Sequence, residues 1–238
     1  MRSKAVARQL FAALRPLFAW AVERGAIEQN PVLGLRAPAP LKARDRVLSD
    51  KEVKAFWTAA EHLSWPFENV FKLLLLTAQR REEVAGMLWQ EVDLEARVWT
   101  IARERAKNGK AHTIDLASEA IGLVSDEERR LGPLVFSTTG YSAPSGFSKA
   151  KARLDRQMSL ILGDKFQPWR THDLRRTAAS GMAALGFQPH VIERVLNHLS
   201  GVQGGLVGIY QRHEYLAERK AAILAWAAHV SEITDLRH

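Results

Sequence analysis

An Asn-Gly pair at positions 108 and 109 places the strongest constraint on the fold of this chain. Asn-Gly is typical of the turns that join antiparallel strands, and β-branched segments flank it at 98–101 and 112–116. Apolar residues recur at helical spacing in most of the remaining sequence. The predicted helices cover 49–62, 67–78, 80–88, 117–130, 145–162, 171–185, 188–197 and 213–230. The pattern predicts a mainly α fold with a small antiparallel sheet.

The first segment predicts a helix that stands apart from the others. Its apolar stripe runs from Leu10 to Val22, and Gly25 ends it. Pro16 predicts a kink or a break, because proline inside a helix costs about 3 kcal/mol. A single amphipathic helix cannot bury its own stripe. The segment therefore docks on the rest of the chain or belongs to another domain.

A change of composition follows this helix. Residues 30–46 are rich in proline, lysine and arginine, which predicts an extended linker. Ser49 and Glu52 then match a capping box, so a helix is expected to begin directly after Ser49. The main domain is expected to start at this point.

Composition limits the class of function. The 34 Lys and Arg residues against 26 Asp and Glu residues give a net charge of +8, which favours a polyanionic partner, with a merely basic surface as the alternative. The absence of cysteine excludes disulfides, thiolate metal sites and a cysteine nucleophile. The sequence shows neither an apolar run of about 18 residues nor a signal-peptide core, so we expect a cytoplasmic protein without a membrane partner.

Five short motifs occur in a fixed order along the chain. They are Thr77-Ala-Gln-Arg80-Arg-Glu-Glu83, Lys107-Asn-Gly-Lys110, His172-Asp-Leu-Arg175, Leu196-Asn-His198 and Ile209-Tyr210. Each motif is common by itself, but together and in this order they make the chain resemble the tyrosine recombinases, in particular the integrases of prophages and genomic islands. The resemblance covers roughly residues 41–230.

The resemblance implies a fold and a domain organisation. The fold is the catalytic fold of tyrosine recombinases, the DNA breaking-rejoining enzymes: mainly α with a small three-stranded antiparallel β-sheet. Residues 1–35 would be the C-terminal remnant of a core-binding domain, 36–46 a linker and 47–238 the catalytic domain. Ala78 and Asn197 depart from the family pattern, because glycine is usual at both positions.

Attack on a DNA phosphodiester concentrates negative charge on two non-bridging oxygens. Arginine suits this charge because its planar fork binds two oxygens and stays cationic. The resemblance assigns the role to Arg80 and Arg175, and we expect Glu83 to support an arginine. The alternative for Arg80 is an ordinary ion pair with Glu83 or Glu82.

Two histidines accompany these arginines. His172 lies one helical turn before Arg175, so both side chains share a face. By resemblance, His172 assists proton transfer from the nucleophile and His198 donates a hydrogen bond to a non-bridging oxygen. The alternatives are structural histidines, with Thr171 as a helix cap that would also place a positive helix end at the site.

The resemblance assigns the nucleophile to Tyr210 and the general acid to Lys107. Tyr215 is the main rival of Tyr210, with packing at the start of the last helix as its alternative role, and Tyr141 is the weakest candidate. Lys110 is the rival of Lys107, and either lysine would otherwise be a solvated turn residue.

The implied activity is site-specific recombination through a covalent 3′-phosphotyrosine, for integration or excision of a mobile element. The expected partner is double-stranded DNA at an attachment site, bound by a homotetramer whose subunits can be monomers in isolation, near the bacterial nucleoid. No cofactor and no metal are expected. The alternatives are relaxation of DNA as by a type IB topoisomerase, and a non-catalytic DNA-binding remnant. The apolar stripe of the last helix packs either within its own domain or on a neighbouring protomer.

Overall fold

A computed structural model of the protein describes residues 4–40, 45–106, 108–125, 132–198 and 215–235. The chain divides into two compact units, Met1–Asp45 and Arg46–His238. Within these described ranges, no helix is both long enough and apolar enough to cross a membrane.

The first unit contains one long helix, α1 (Lys4–Glu23), which ends just before Gly25 as predicted. The helix is continuous through Pro16, so the predicted break is wrong. The carbonyl of Ala12, which loses its partner N–H to the proline ring, lies on an exposed part of the helix where water can bind it. None of the α1 side chains is fully buried, and Leu10 and Leu17 of its apolar stripe are each 52% exposed.

The second unit is mainly helical with one small sheet, which confirms the predicted fold class. Strands β1 (Val92–Asp93), β2 (Val98–Ile101) and β3 (His112–Asp115) are antiparallel in the order β1-β2-β3. The helices are α2 (Asp50–Ala60), α3 (Phe67–Thr77), α4 (Arg81–Ala85), α5 (Ser118–Ser125), α6 (Phe147–Leu162), α7 (Thr171–Ala184), α8 (Pro189–Val195) and α9 (Leu216–Ile233).

Carboxylates in the first helical turn fix the starts of several helices. The Ser49 N–H donates to Glu52 Oε2 at 2.9 Å at the start of α2, which confirms the predicted capping box. The helix predicted over 80–88 is shorter, since α4 ends at Ala85. The chain then enters a 3₁₀ turn at Trp89–Glu91 and the first strand.

The hairpin between β2 and β3 has a longer loop than an Asn-Gly turn alone requires. Ile101 pairs with His112, so residues 102–111 form the connection. Gly109 has a φ of +67° and its N–H donates to Ala106 O at 2.8 Å. Arg105 fastens the loop to α4, because its Nη2 donates to Glu83 O at 2.9 Å.

Helix α3 lies at the centre of the core, and α9 packs over it. Trp226 of α9 donates from Nε1 to Leu75 O at 2.8 Å. A Cβ at Gly181 of α7 would lie 2.1 Å from Cζ3 of Trp226, so only glycine permits this approach. Ile223, Ala227 and Val230 are buried. Three residues of the predicted stripe of α9 therefore pack within their own domain, whereas the fourth, Leu216, is 58% exposed.

Candidate active site

The end of α3, the start of α4 and the first turns of α7 surround a pocket of about 320 Å³. Three residues predicted from the motifs line it together: Arg80, His172 and Arg175. The remaining lining residues are Leu74, Gln79, Arg81, Glu82 and Thr171. The pocket is open to solvent on the side of the exposed His172.

Arg175 is the buried cation of this pocket, with 3% of its surface exposed. Its Nη1 donates to Ala78 O at 2.5 Å, and its Nη2 donates to Leu196 O. Burial, and then the positive charge of Arg80, lower the pKa of the Arg175 guanidinium to about 10. The side chain is therefore a cation at neutral pH in a fixed orientation, and its buried Nε finds no hydrogen-bond partner among the described residues.

Arg80 is the more accessible of the two arginines, with 19% of its side chain exposed. The sequence allowed an ion pair of Arg80 with Glu83 or Glu82. Arg80 pairs with Glu83, whose Oε1 lies 3.0 Å from Nη1. Glu82 instead pairs with Arg81 at 2.5 Å. The Arg80 N–H also donates to Glu83 Oε2 at 2.9 Å, so one buried carboxylate holds both the backbone and the side chain of this arginine.

Glu83→Ala is expected to lower the free energy of unfolding by about 1–3 kcal/mol, because it removes a helix cap and leaves a partly buried arginine without its anion. Urea unfolding measures this loss. Glu82→Ala is the matched control, since that side chain is exposed and its pair with Arg81 lies at the surface. Equal losses of stability in the two variants would contradict the role of Glu83 in capping α4 and holding Arg80.

Helix α7 places His172 in its first turn and Arg175 one turn later. The helix begins at Thr171 as predicted, but Thr171 as its cap is wrong. Arg170 holds the N-cap position, and its N–H donates to Asp173 Oδ2 at 2.8 Å. A carboxylate in the first turn already accepts the free N–H, so no hydroxyl is needed at Thr171. The positive end of α7 therefore adjoins the pocket.

His198 follows α8 in a tightly defined turn. The His198 N–H donates to Glu193 O at 3.0 Å, and the Asn197 N–H donates to Arg194 O at 3.1 Å. These bonds form a Schellman motif, which places Asn197 in the left-handed region with a φ of +47°. Ala78, after α3, also has a positive φ of +56°. Glycine is usual at both family positions because it adopts this conformation without strain.

Ala78→Gly is expected to raise the free energy of unfolding by up to about 1 kcal/mol, because relief of the left-handed strain, about 1–2 kcal/mol, exceeds the loss of the buried methyl group, about 0.8 kcal/mol. Chemical denaturation measures the gain. The same substitution at Ala152, on the exposed surface of α6, should lower stability by about 0.5–1 kcal/mol. A loss at both positions would contradict the strain at Ala78.

The C-terminal carbonyls of α8 bind the side chains around the pocket. Such carbonyls have no partner within their helix and carry its negative end. Leu196 O accepts from Arg175, and Asn197 O lies 3.5 Å from Nη2 of Arg80. The further donors are Gln79 Nε2 and His112 Nε2 to Val195 O, at 3.0 and 3.1 Å, and Asn108 Nδ2 to Asn197 O at 3.3 Å. One short turn thus holds both arginines.

The sequence did not identify Gln79, Asn108 and His112 as members of this cluster. The alternation of β3 puts His112 on the same buried face as Ile114, and that was the available signal. Gln79 and Asn108 stand inside two of the quoted motifs, but their partners at Val195 and Asn197 are remote in sequence.

Burial and neighbouring cations shift the histidines toward the neutral form. For His172, burial lowers the pKa first, followed by the charges of Arg176 and Arg175. For His198, burial again acts first, followed by Arg175 and Arg80. Both shifts favour the neutral imidazole, the form in which His172 can accept a proton.

His112 has the largest shift, since burial, followed by the charge of Arg219, lowers its pKa from 6.5 to about 3. Between these values the unfolded chain binds one proton more than the folded chain, so this histidine lowers stability as the pH falls. His112→Gln is expected to reduce the slope of unfolding free energy against pH by about 1.4 kcal/mol per unit between pH 5.5 and 4. Urea unfolding at several pH values measures it, and parallel curves for the two proteins would contradict the shift.

Lys107 and Tyr210 lie outside the described residues. Of their rivals, Lys110 is exposed, and Tyr215 is half-buried at the N-cap of α9 with its ring centroid 4.7 Å from that of His190. This packing is the alternative role considered for Tyr215. Tyr141 is 87% exposed. Over the described ranges, no three or more His, Asp and Glu side chains group so as to hold a metal ion.

The family model described as the phage integrase family matches residues 46–215. Prophage integrase IntZ of Escherichia coli strain K12 is 29% identical over 236 residues, which is 95% of this chain and 56% of that protein. Tyrosine recombinase XerC of Xylella fastidiosa strain 9a5c is 27% identical over 53% of this chain and 42% of its own length. The chain therefore spans about half the length of these curated relatives.

Solved structures share the fold. A lambda integrase (75–356) dimer bound to a COC′ core site superposes with a TM-score of 0.64 at 22% identity, over 83% of this chain and 73% of that chain. The Tn1549 transposon integrase in complex with circular intermediate DNA gives a TM-score of 0.63 at 15% identity, over 92% of this chain and 78% of that chain.

Proposed function

The chain belongs to the phage integrase family, and from that premise we propose that it is a tyrosine-type site-specific recombinase. The observation that carries this proposal is the pocket in which Arg80 and Arg175 are held by Glu83 and by main-chain carbonyls. Two fixed cations beside a helix N-terminus suit a phosphate that gains negative charge in its transition state. The protein would cleave and rejoin DNA for the integration or excision of a mobile element.

The proposed first step transfers a DNA strand to the protein. The Tyr210 oxygen forms a bond to phosphorus while the bond from phosphorus to the sugar 5′-oxygen breaks. His172 takes the phenol proton, which suits its neutral state, and Lys107 gives a proton to the leaving 5′-oxygen. Arg80, Arg175 and His198 bind the non-bridging oxygens. The product is a 3′-phosphotyrosine, and the reverse reaction with another 5′-hydroxyl rejoins the strand.

The proposed partner is duplex DNA at an attachment site, bound by a homotetramer. The net charge of +8 supports a polyanionic partner. We further assign residues 1–35 to the C-terminal part of a core-binding domain, 36–46 to a linker and 47–238 to the catalytic domain. The exposed Leu10 and Leu17 of α1 support this assignment, because further helices of a core-binding domain would cover them. We propose that the protein acts at the bacterial nucleoid, where its DNA substrate would lie.

A nicked suicide duplex with the attachment site tests the proposal, because the short fragment that carries the released 5′-hydroxyl diffuses away and the covalent intermediate is trapped. The expected result is a protein–DNA adduct that forms equally well with EDTA, since the chemistry needs no metal. No adduct would overturn the proposal. Relaxation of supercoiled plasmids of unrelated sequence would instead indicate a topoisomerase, and binding without cleavage would indicate a non-catalytic remnant.

A further inference from the structure

His112 connects three parts of the domain that are distant in sequence. It begins β3, its imidazole is buried, and its Nε2 lies 3.1 Å from Val195 O at the end of α8. Its Nδ1 lies 3.5 Å from Nη2 of Arg219 in the first turn of α9. The proposed mechanism gives this histidine no role.

The partners of His112 define one protonation state. A carbonyl oxygen only accepts and a guanidinium only donates, so Nε2 carries the proton toward Val195 O and Nδ1 accepts from Arg219. A second proton on Nδ1 would face the Arg219 cation. The depressed pKa of His112 agrees with this neutral state. The imidazole therefore holds Val195 O and the Arg219 guanidinium at a fixed separation.

The Arg219 end of this connection is the part of α9 nearest to Tyr210 in sequence. Arg219 is also buried, and its Nη2 donates to Thr113 O in β3. Its backbone N–H donates to Tyr215 O at 2.8 Å. The arginine thus fastens the start of α9 to the sheet.

The Val195 end of this connection adjoins the pocket of Arg80, His172 and Arg175. The next carbonyl along the chain, Leu196 O, accepts from Arg175, and His198 follows two residues later. Val195, Leu196 and His198 belong to one rigid Schellman motif. A displaced Val195 carbonyl would therefore also move His198 and the Leu196 carbonyl that binds Arg175.

We propose that His112 is a positioning residue for the cleavage step, which couples the start of α9 to the turn that holds Arg175 and His198. This inference rests on the proposed function. His112 contacts neither DNA nor the nucleophile in this role. Its loss should slow the chemical step and leave DNA affinity unchanged, since a misplacement of about 1 Å can reduce a rate about 100-fold.

Two substitutions separate positioning from simple packing. His112→Gln keeps an N–H donor and an oxygen acceptor at similar reach, whereas His112→Leu fills the space without either. At saturating suicide DNA, we expect His112→Leu to form the covalent complex about 10- to 100-fold more slowly, with a DNA Kd within about 3-fold of the parent. His112→Gln should recover most of the rate. The same histidine-to-leucine change at exposed His62 is the control.

Equal rates for the leucine and glutamine variants, or a loss confined to DNA affinity, would overturn the proposal. ¹⁵N NMR of the histidine rings in the parent chain provides an independent measurement, even if His112→Leu does not fold. It should show the neutral Nε2–H form of His112 from pH 5 to 8, and titration within that range or the other tautomer would overturn the coupling. A parent chain that forms no adduct overturns the proposed function, while NMR still decides the state of His112.

Discussion

Arg175→Lys is expected to slow formation of the covalent DNA complex by about 100- to 1,000-fold. The Arg175 fork donates to Ala78 O and Leu196 O from its two terminal nitrogens and is buried. A lysine ammonium is a single point donor, so it cannot bind both carbonyls in the planar geometry and also bind a phosphate oxygen. Lysine keeps the positive charge, so any loss of rate comes from the missing planar geometry of the guanidinium.

Single-turnover cleavage of suicide DNA at saturating protein measures this effect. Arg176→Lys is a matched control, because it is the next residue of α7, with 35% of its side chain exposed and an ion pair to Asp173. That variant should react within about 3-fold of the parent. Circular dichroism shows whether each variant is folded. Equal rates for Arg175→Lys and the parent protein would contradict the role of the fork.

Tyr210→Phe is expected to eliminate the covalent complex entirely, because the substitution removes only the phenolic oxygen that attacks phosphorus. DNA binding should persist, since it depends on cations that remain. Gel analysis of the trapped complex and a filter-binding assay measure the two properties separately. A variant that still forms an adduct would contradict the assignment of Tyr210.

Tyr215→Phe is the matched control for this prediction. Tyr215 is half-buried at the start of α9 and packs against His190. Its ring would be kept in phenylalanine, so the variant should cleave DNA at nearly the parent rate. Loss of the adduct in Tyr215→Phe but not in Tyr210→Phe would transfer the role of nucleophile to Tyr215.

Local signals in the sequence predicted most of the helices and strands of the second unit. The capping box at Ser49 and Glu52 fixes the start of α2, and β-branched flanks fix β2 and β3. Each of these elements is determined by residues within a few positions of one another. The prediction of a break at Pro16 was wrong because, in an exposed helix, water can donate a hydrogen bond to the carbonyl that proline leaves without a partner.

The motifs also predicted three of the side chains that line the pocket, but not what holds them. His198, predicted with them, lines a separate pocket beside Asn197 and Arg219. Arg80, His172 and Arg175 lie together in one pocket, as expected from their order in the chain. Their supports are main-chain carbonyls at Ala78, Leu196 and Asn197, whose directions depend on turns formed far away in sequence. Periodicity carries no information about a carbonyl direction. The positive φ angles of Ala78 and Asn197 explain why glycine is usual at these positions in the family, but these angles become visible only once the turns are known.

Peptide mapping of the trapped DNA adduct tests the central claim most directly. Trypsin cleaves after Arg194, Arg212 and Arg219, so Tyr210 falls in peptide 195–212 and Tyr215 in peptide 213–219. After nuclease digestion, mass spectrometry should find a nucleotide joined through its 3′-phosphate to peptide 195–212, on Tyr210. A nucleotide on peptide 213–219, a link through a 5′-phosphate, or no nucleotide on either peptide would contradict the proposed mechanism.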